Sequence, residues 1–404
     1  MAVRREKGTN LGKIRVAEMF AGVGGFRLGL DNGDFDTIWA NQWEPGSDSR
    51  QFAWRCYESH FGEGSCVNRD IHEVLDDYES GTLDIPDVDM VVGGFPCQDY
   101  AVSKPLSKAK GIEGDKGVLW WDLYRMVRLK RPTHCLFENV DRLLKSPAKQ
   151  RGRDFAIMLS CLNGLGYHVE WRVVNSAEYG FPQRRKRVYM FATTDRRMYG
   201  VMGSAFPIGD VLTSEEFDIP DDPYVATNEF NADGVKSLFL DSGSADGFHV
   251  TTSKVIPAYD GRSMTLGDVL VPESEVPDDY WIPDDQLDRW IYLKGSKREP
   301  RVAKNGHEYM YSEGKMAFPD PIGRPSRTIL TGEGGQSASR FKHVVRQGDR
   351  LRRLVPDELD QLQTFPKGWT DTGMTENQRA FCMGNALVVG VVRRIADEMA
   401  RRLD

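Results

Sequence analysis

The 404-residue sequence contains no apolar run close to the roughly 18 residues that would span a bilayer. No secretion-type apolar segment follows the basic stretch MAVRREKGTN, so export is not expected. The six cysteines form no CxxC pair and no His/Cys cluster at metal-ligand spacing, which argues against a metal site and favours free thiols. These absences predict a soluble, cytoplasmic globular protein with no membrane partner.

The sequence also lacks an excess of positive charge, since 53 Lys plus Arg stand against 60 Asp plus Glu for a net charge of -7. That total does not favour a polyanionic partner such as nucleic acid. The acidity is local, because residues 201–290 hold 4 Lys plus Arg and 19 Asp plus Glu, while the rest of the chain is net +8. Basic clusters at 104–110, 184–187 and 340–353 could meet phosphates. We therefore expect the acidic block to face away from such a ligand or to rim its cleft.

Short apolar runs alternate with amphipathic stretches from Ile14 to Thr194, as in IRVAEMF, DMVVGGF, CLFENV and RVYMFAT. Such runs, spaced by helical periodicity, predict repeated βα units in an α/β fold with a doubly wound, mainly parallel sheet. From about 195 to 280 Asp, Gly, Pro and Ser clusters predict a second, smaller domain rich in loops and β structure. Apolar spacing in 386–403 predicts a long amphipathic helix.

A glycine-rich turn, FAGVGGF at 20–26, follows the first predicted strand. Glycine lets a ligand approach the backbone at such a turn, and the helix that follows presents N–H groups. The dinucleotide pattern GxGxxG would need Gly at position 27, where the chain has Arg27, so a pyrophosphate site is poorly supported. Taken alone, these glycines fit a purely structural turn equally well.

Trp43, in NQWE at 41–44, and Asp70, before Ile71, follow the next predicted strands. The carboxyl ends of strands are where open α/β sheets bind ligands. A ring to stack on adenine and carboxylates for a ribose and an exocyclic amine would suit an adenosine cofactor. The alternative is that Trp43 covers the core and that the acids are solvated loop residues.

Cys97 comes just past the strand DMVVGGF, a position that favours a reactive thiolate. A lone Cys is more often a small core residue. The catalytic interpretation gains weight because the next apolar strand ends in Glu138, whose carboxyl could face the same crevice and hold or donate a proton.

The basic run QRRKR at 183–187 comes directly before the apolar run VYMFAT. Because the run enters a strand, Arg185 and Arg187 would share one face, and one or both could point into the crevice. A solvated surface patch or a set of phosphate contacts is the more usual interpretation of four consecutive cations.

With these motifs in place, the chain resembles the DNA (cytosine-5)-methyltransferase family of bacterial or phage restriction-modification type. The similarity extends from about Val16 to Thr193 and from about Arg324 to Val392. The matching blocks, in the family's order, are FAGVGGF, NQWE, RDI, GFPCQ, KGVLWWDL, ENV, QRRKRVY, PSRTILTGEGG and GNALVVG. Any one block could arise by chance, but nine in order make chance a poor explanation.

The resemblance implies a sequence-specific enzyme that flips a cytosine out of duplex DNA. In the family's mechanism a thiolate, here Cys97, adds to C6, while an acid, here Glu138, engages N3 and the 4-amino group. An Arg that matches Arg187 contacts O2, with Arg185 close by. C5 then takes the methyl group of S-adenosylmethionine, and loss of the C5 proton expels the thiol.

The resemblance also implies the binding residues. S-adenosyl-L-methionine would contact Phe20, Gly22, Gly24, Gly25, Gln42, Trp43, Glu44, Asp70, Ile71, Pro96, Leu119, Asn385 and Ala386. DNA would contact Gln98, Ser103, Lys104 and Arg184. One departure concerns the ribose, because family members have an acid where this chain has Gln42. Either Glu44 supplies the carboxylate or the Gln42 amide takes its place.

In the family the block around Asn385 packs beside the first strand and the cofactor. A discontinuous catalytic domain is therefore expected from residues 1–200 plus 376–404, with a target-recognition domain at 201–375. The front half of that second domain, which is the acidic part, would be its outer side. We expect a monomer that acts on double-stranded DNA, with a cognate restriction endonuclease for the same site as a candidate partner.

Three other functions compete with this interpretation. An RNA (tRNA) cytosine-5-methyltransferase shares the fold, but the long segment between QRRKRVY and PSRTI favours duplex DNA. A catalytically silent DNA-binding relative is opposed by the presence of Cys97, Glu138 and Arg187. A nicotinamide-dependent thiol dehydrogenase is opposed by Arg27 in the glycine turn.

Overall fold

The computed structural model describes residues 12–46, 48–95, 119–147, 149–303 and 306–403. The candidate site residues Pro96, Cys97, Gln98, Ser103 and Lys104 lie outside the described residues. The chain forms two compact units. The first contains Met1–Val174, Arg187–Ala258 and Val389–Asp404, and the second contains Asn175–Lys186 and Tyr259–Val388.

Strands and helices alternate along the amino-terminal part of the first unit, as the apolar pattern predicts. In chain order the elements are β1 (Ile14–Met19), α1 (Gly25–Leu30), β2 (Phe35–Asn41), α2 (Phe52–Phe61), α3 (Ile71–Glu79), β3 (Met90–Gly94), α4 (Leu119–Lys130), β4 (His134–Val140), α5 (Arg153–Gly164), β5 (His168–Asn175), β6 (Lys186–Thr193), α6 (Val201–Ala205), β7 (Ile208–Asp218), α7 (Pro223–Glu229), β8 (Ser242–Asp246) and β9 (His249–Pro257).

These nine strands form one sheet in the order β2-β1-β3-β4-β6-β5-β8-β9-β7. The strands β2, β1, β3 and β4 are parallel, which confirms the predicted α/β fold. The strand β6 runs antiparallel to β4, and β8, β9 and β7 extend the sheet through antiparallel pairs. Residues 208–257 therefore join the sheet of the first unit, whereas the predicted domain division assigns them to the second domain.

Helices cover both faces of the parallel strands. Ala17 and Met19 of β1 belong to a buried apolar cluster with Val74 of α3 and Leu123 of α4. Side chains alternate between the faces of a strand, so Glu18 points the other way. On that face its carboxyl group accepts hydrogen bonds from backbone N–H groups of α1. This arrangement is the doubly wound layering that the sequence predicts.

The second unit is rich in loops and short antiparallel strands. Its elements are α8 (Leu287–Lys294), β10 (Lys297–Val302), β11 (Glu308–Glu313), β12 (Val344–Gln347), β13 (Arg350–Arg353), α9 (Pro356–Leu362) and α10 (Glu376–Asn385). The pairs β10–β11 and β12–β13 each form a two-stranded sheet. A fully buried ion pair between Arg352 and Glu358, 2.6 Å apart, ties the end of β13 to α9. Of the segment predicted to be rich in loops and β structure, about 195 to 280, only residues 259–280 belong to this unit.

The last helix, α11 (Val389–Leu403), is the long helix that the apolar spacing predicts, and it belongs to the first unit. It packs on α1, where a Cβ at Gly29 would lie only 2.6 Å from side-chain atoms of Val392. Arg393 strengthens the contact by donating a hydrogen bond to the carbonyl of Leu28 at 2.8 Å. The first unit is thus discontinuous, but α10, which the predicted division placed with the catalytic domain, belongs to the second unit.

Candidate functional site

The carboxyl ends of four parallel strands meet at one edge of the sheet. Met19, the last residue of β1, is in register with Asn41 of β2 and with Gly93 of β3. Gly94, the last residue of β3, is in register with Glu138 of β4. The residues that follow these strands therefore come to the same edge, where open α/β sheets bind ligands.

The glycine turn after β1 has an unusual backbone. Phe20, Gly22 and Gly24 have φ angles of 55°, 56° and 87°, in the left-handed region that favours glycine. A Cβ at Gly22 would meet nothing within 4 Å, whereas one at Gly24 would lie 2.4 Å from the ring of Phe61. Gly25 begins α1 and is buried. The left-handed Phe20 is a strained position of the kind that clusters at ligand sites.

The buried carboxyl group of Glu18 binds backbone N–H groups at the start of α1. Glu18 Oε1 accepts hydrogen bonds from the backbone N–H groups of Phe26 and Arg27, at 3.2 and 3.4 Å, and its Oε2 accepts one from the hydroxyl of Tyr57. Burial raises the pKa of Glu18 to about 7. Because a carboxyl group already engages these N–H groups, they are not open to a phosphate, which agrees with the missing GxGxxG pattern.

Gln42 links the end of β2 to the glycine turn. Its side-chain Oε1 accepts a hydrogen bond from the backbone N–H of Gly22 at 2.7 Å. Two further amides hold this segment: Asn68 Nδ2 donates to the Gln42 carbonyl at 2.7 Å, and Gln51 Nε2 donates to the Glu44 carbonyl at 2.6 Å. The buried amide of Gln42 thus has a positioning contact that an acid could also make.

The two residues after Gln42 leave polar and aromatic groups at the same edge. The side chain of Trp43 is 36% exposed, an unusual position for a large ring. Glu44 is half-buried, and burial raises the pKa of its carboxyl group. The structure therefore presents both a ring face and a carboxyl group immediately after β2, as the NQWE motif predicts.

Asp70 and Leu119 lie at the amino ends of two helices. Asp70 caps α3, because its Oδ1 accepts a hydrogen bond from the backbone N–H of His72 at 3.0 Å. Ile71 is buried in the apolar cluster described above, and Leu119, the first residue of α4, packs against that cluster. A capping role thus accounts for Asp70 in this structure, and its partly exposed side chain remains available to a ligand.

Glu138 and Arg187 form an ion pair across β4 and β6, with Arg187 Nε 3.0 Å from Glu138 Oε1. Only 11% of the Glu138 side chain and 17% of the Arg187 side chain are exposed. A Cβ at Gly94 would lie 3.3 Å from Glu138 Oε2, so the glycine lets the carboxyl group lie close to the end of β3. An acid and a guanidinium are therefore held together beside the strand that leads toward Cys97.

Asn139, next to this acid, fixes the end of the same strand. Its Nδ2 donates a hydrogen bond to the carbonyl of Phe95 at 3.1 Å, and its Oδ1 accepts one from the N–H of Val140 at 2.8 Å. Both Asn139 and Phe95 are buried. This contact joins the carboxyl ends of β3 and β4 at Phe95, two residues before position 97.

Arg185 belongs to the second unit, and β6 begins only at Lys186. Arg187 therefore follows the alternation of side chains along β6, whereas Arg185 precedes the strand and does not. The guanidinium of Arg185 is buried, and its Nη2 donates a hydrogen bond to the carbonyl of Gly384 at 3.0 Å. Arg184 is exposed, and its backbone N–H donates to the Ser326 carbonyl at 2.9 Å.

Two buried glutamines organise the rest of this segment within the second unit. Gln183 Nε2 donates to Gln363 Oε1 at 3.2 Å, and Gln363 Nε2 donates to the carbonyl of Ala386 at 3.0 Å. Asn385, at the end of α10, is exposed. Side-chain amides thus join three segments of the second unit: 183–187, 362–366 and 384–386. Within the described residues, the candidate set is divided between the two units.

Four positioning residues were not among the sequence-based candidates: Glu18, Gln51, Asn68 and Asn139. Glu18 and Asn139 carry a recognisable signal, because a charged or amide residue interrupts an otherwise apolar strand in each case. Gln51 and Asn68 carry none, since polar residues between strands are usually solvated. Their role depends on the tertiary contacts of the loop after β2.

A family model described as C-5 cytosine-specific DNA methylase matches residues 14–401. The type II methyltransferase M.Sau3AI of Staphylococcus aureus is 44% identical over 97% of this chain and 96% of its own length. The chain belongs to the C-5 cytosine-specific DNA methylase family. It is accordingly a DNA (cytosine-5)-methyltransferase, which confirms the resemblance found in the sequence and favours DNA over the RNA alternative.

Other methyltransferases are similar to part of this chain or share its fold. M.HhaI of Haemophilus parahaemolyticus, a type II methyltransferase, is 34% identical over 46% of this chain and 50% of its own. The structures of Entamoeba histolytica EhMeth and S. pombe Dnmt2 each superpose with a TM-score of 0.58 at 15% identity, covering 97% of this chain and 99% and 100% of theirs. At that identity they support the methyltransferase fold alone. No helix in the part of the methylase that the structure describes is long and apolar enough to cross a membrane.

Proposed function

We propose that this methylase flips a cytosine out of duplex DNA, adds the thiolate of Cys97 to C6 and methylates C5, with Glu138 and Arg187 holding the base. The observation that carries the proposal is the Glu138–Arg187 pair, 3.0 Å apart beside Gly94, three residues before Cys97. A flipped base is required because C5 and C6 cannot be reached inside a stacked duplex.

The remaining cysteines support Cys97 as the nucleophile. Cys56, Cys66, Cys135, Cys161 and Cys382 are all buried free thiols. Burial raises the pKa of Cys66, Cys135 and Cys161, which keeps such thiols protonated and inert. Cys97 is the sixth cysteine of the sequence and lies outside the described residues, so its proposed role comes from its place after β3.

In the proposed reaction the Cys97 sulfur forms a bond to C6, and the ring electrons shift toward C5. Glu138 engages N3 and the 4-amino group, where the charge builds up, while Arg187 holds the carboxyl group and contacts O2. After C5 is methylated, a base takes the C5 proton, and the electron pair released expels the thiolate. The product is 5-methylcytosine and the enzyme is regenerated.

S-adenosylmethionine supplies the electrophilic methyl group when it is bound. The residues at the sheet edge suit this cation better than a dinucleotide, because the N–H groups of Phe26 and Arg27 already bind the Glu18 carboxyl group. Trp43 offers a half-exposed ring for adenine, and the partly buried Glu44 offers a carboxyl group for the ribose. Phe20, Gly22, Gly24, Gly25, Gln42, Asp70, Ile71, Pro96, Leu119, Asn385 and Ala386 complete the proposed cofactor set.

Double-stranded DNA is the proposed substrate, with Gln98, Ser103, Lys104 and Arg184 as further candidate contacts, while Arg185 is proposed as a catalytic residue beside Arg187. We also propose that the enzyme acts as a monomer and that a cognate restriction endonuclease acts on the same site. The test is transfer of a labelled methyl group from S-adenosylmethionine to duplex DNA by purified protein. We expect transfer by the wild type, none by Cys97→Ala, and wild-type rates for Cys382→Ala, which removes a buried thiol instead.

Two outcomes would contradict the proposal. Labelling of tRNA but not of duplex DNA would show that the substrate is wrong. Duplex DNA with 5-fluorocytosine at the target should form a denaturant-stable adduct, because the fluorine cannot leave as the C5 proton does. An adduct of equal yield with Cys97→Ser would show that another residue is the nucleophile.

A further inference from the structure

The strands β10 and β11 form a hairpin in the second unit. Their register runs from Lys297 opposite Glu313 to Val302 opposite Glu308. Among the described residues neither strand pairs with any other. An isolated two-stranded hairpin is marginally stable in water, so its persistence requires an anchor or a partner.

The base of the hairpin is firmly anchored. Arg340 donates hydrogen bonds to the carbonyls of Gly295, before β10, and Gly314, after β11. Its Nη1 also lies 3.2 Å from Glu313 Oε2, and Lys297 Nζ lies 3.3 Å from the same oxygen. Because Arg340 binds the backbone before β10 and after β11, the base of the hairpin is held in a fixed position.

On one face of the hairpin, charged and polar side chains bind one another. Arg301 Nη2 lies 2.6 Å from Glu299 Oε1, and the Arg301 guanidinium stacks over the ring of Tyr311 at 3.4 Å. The hydroxyl of Tyr311 donates a hydrogen bond to Glu313. The cations on this face therefore already have partners within the hairpin, which stiffens it without leaving them available to a ligand.

The opposite face is open. It carries Arg298, Pro300, Val302, Glu308, Met310 and Ser312, which are all exposed. Val302 is 65% and Met310 54% exposed, although both are apolar. The guanidinium of Arg298 makes no hydrogen bond or ion pair with another residue that the structure describes. Exposed apolar side chains grouped around a cation mark an interaction surface.

We propose that this face, called the outer face below, enters the major groove of DNA and reads base edges of the target sequence. The inference rests on the proposed function, since it assumes a duplex substrate. The major groove, about 12 Å wide, admits a two-stranded ribbon whose strands are about 4.8 Å apart.

The composition of the outer face favours base reading over phosphate binding. A phosphate-binding surface carries several cations, whereas this face offers one guanidinium, one carboxylate (Glu308), one hydroxyl and a group of apolar side chains, and the carboxylate would repel a phosphate. Arg298 can donate two hydrogen bonds to O6 and N7 of a guanine, and Val302 or Met310 can pack on a thymine methyl group. A rigid scaffold is what such contacts need, and Arg340 supplies it.

The experiment is selection from a random duplex library by the full chain, followed by sequencing of the bound DNA. We expect the wild type to enrich one sequence, and Arg298→Ala and Met310→Ala each to lose about 10-fold or more of that preference at one base position. Arg289→Ala removes an equal charge from an exposed position on α8, so any loss of its binding should be uniform across sequences. Thermal unfolding of the variants should match that of the wild type, since the altered side chains are exposed.

The outcomes separate this inference from the proposed function. If both outer-face variants select the wild-type sequence unchanged, or if the wild type selects none, the inference is wrong even when methyl transfer proceeds. If the wild type selects a sequence through Arg298 but transfers no methyl group, the inference stands and the proposed function fails. A change in oligomeric state of the variants without DNA, seen by sedimentation, would instead identify the outer face as a contact between copies and overturn the proposal.

Discussion

The side-chain oxygen of Gln42 lies 2.7 Å from the backbone nitrogen of Gly22, which donates a hydrogen bond to it. This contact joins the segment after β2 to the turn after β1 at the sheet edge where the cofactor is proposed to bind. Gly22 has a left-handed φ of 56°, so the bond also helps to hold an unusual backbone conformation.

Removing this bond should weaken cofactor binding. We expect Gln42→Ala to lower the affinity for S-adenosylmethionine by about 5-fold, which corresponds to the roughly 1 kcal/mol net contribution of a buried hydrogen bond. Gln42→Glu keeps the accepting oxygen and should bind nearly as well as the wild type. Isothermal titration calorimetry measures both, and equal affinities for the wild type and Gln42→Ala would contradict the positioning role.

Crowding the carboxyl group of Glu138 should slow catalysis without affecting the cofactor. A Cβ at Gly94 would lie 3.3 Å from Glu138 Oε2, so Gly94→Ala should displace the Glu138–Arg187 pair by a few tenths of an ångström. We expect methyl transfer to fall by about 10- to 100-fold, because small misplacements of reacting groups are costly. Gly203→Ala, where a Cβ would meet nothing within 4 Å, is the matched control. A cofactor affinity lowered in parallel would argue against a local effect on Glu138.

Glu18 should make stability depend on pH. Its pKa is about 7 in the folded protein against an ordinary value of 4.5, so the folded state binds the extra proton between those pH values. The stabilising contribution is complete below about pH 4.5 and is lost as the pH rises through about 7; its full size is on the order of 3 kcal/mol. We expect Glu18→Gln, which cannot ionise, to narrow the difference in unfolding free energy between pH 5 and pH 7.5. Denaturant titrations at the two pH values provide the comparison, and an unchanged difference would exclude Glu18 as its source.

The contact between α1 and α11 should tolerate no added methyl group at Gly29. A Cβ there would lie 2.6 Å from Val392, so we expect Gly29→Ala to destabilise the protein by about 1–3 kcal/mol. Val392→Gly removes both of the close side-chain atoms, Cβ and Cγ1, and the double variant should be more stable than the sum of the two single changes predicts. Gly164→Ala, with no atom near the added methyl, controls for the loss of glycine. Strict additivity in chemical denaturation would mean that the helices adjust and that the contact is not tight.

The parallel part of the sheet and the terminal helix could be predicted because their signals are local. Apolar runs such as IRVAEMF and the spacing in 386–403 reflect burial patterns of single elements. The extension by β7, β8 and β9 could not be predicted in this way. Its strands carry Ser, Thr and acidic residues on an open face, so their composition indicates loops rather than a sheet.

The same distinction applies to the candidate site. The family resemblance implies that Glu138 and Arg187 contact the same base, and the register of β4 and β6 brings them together as an ion pair. The contact of Gln42 with Gly22 could not be predicted, because it joins residues 20 positions apart through a loop geometry that no periodicity encodes. Arg185 was predicted to share a strand face with Arg187, yet the strand begins one residue after it.

The strand β7 ends the nine-stranded sheet and has a free edge among the described residues. It carries Asp210, Glu215, Glu216 and Asp218 and no Lys or Arg, beside the exposed apolar residues Val211 and Leu212. Two such edges brought together would repel each other, which protects a long exposed strand from aggregation. About 24 Å of sheet, five strand spacings, separates β7 from β4, well beyond the screening distance of roughly 8 Å at physiological salt. The four acids of β7 can thus keep this edge from pairing with another chain without opposing a polyanion bound beside β4.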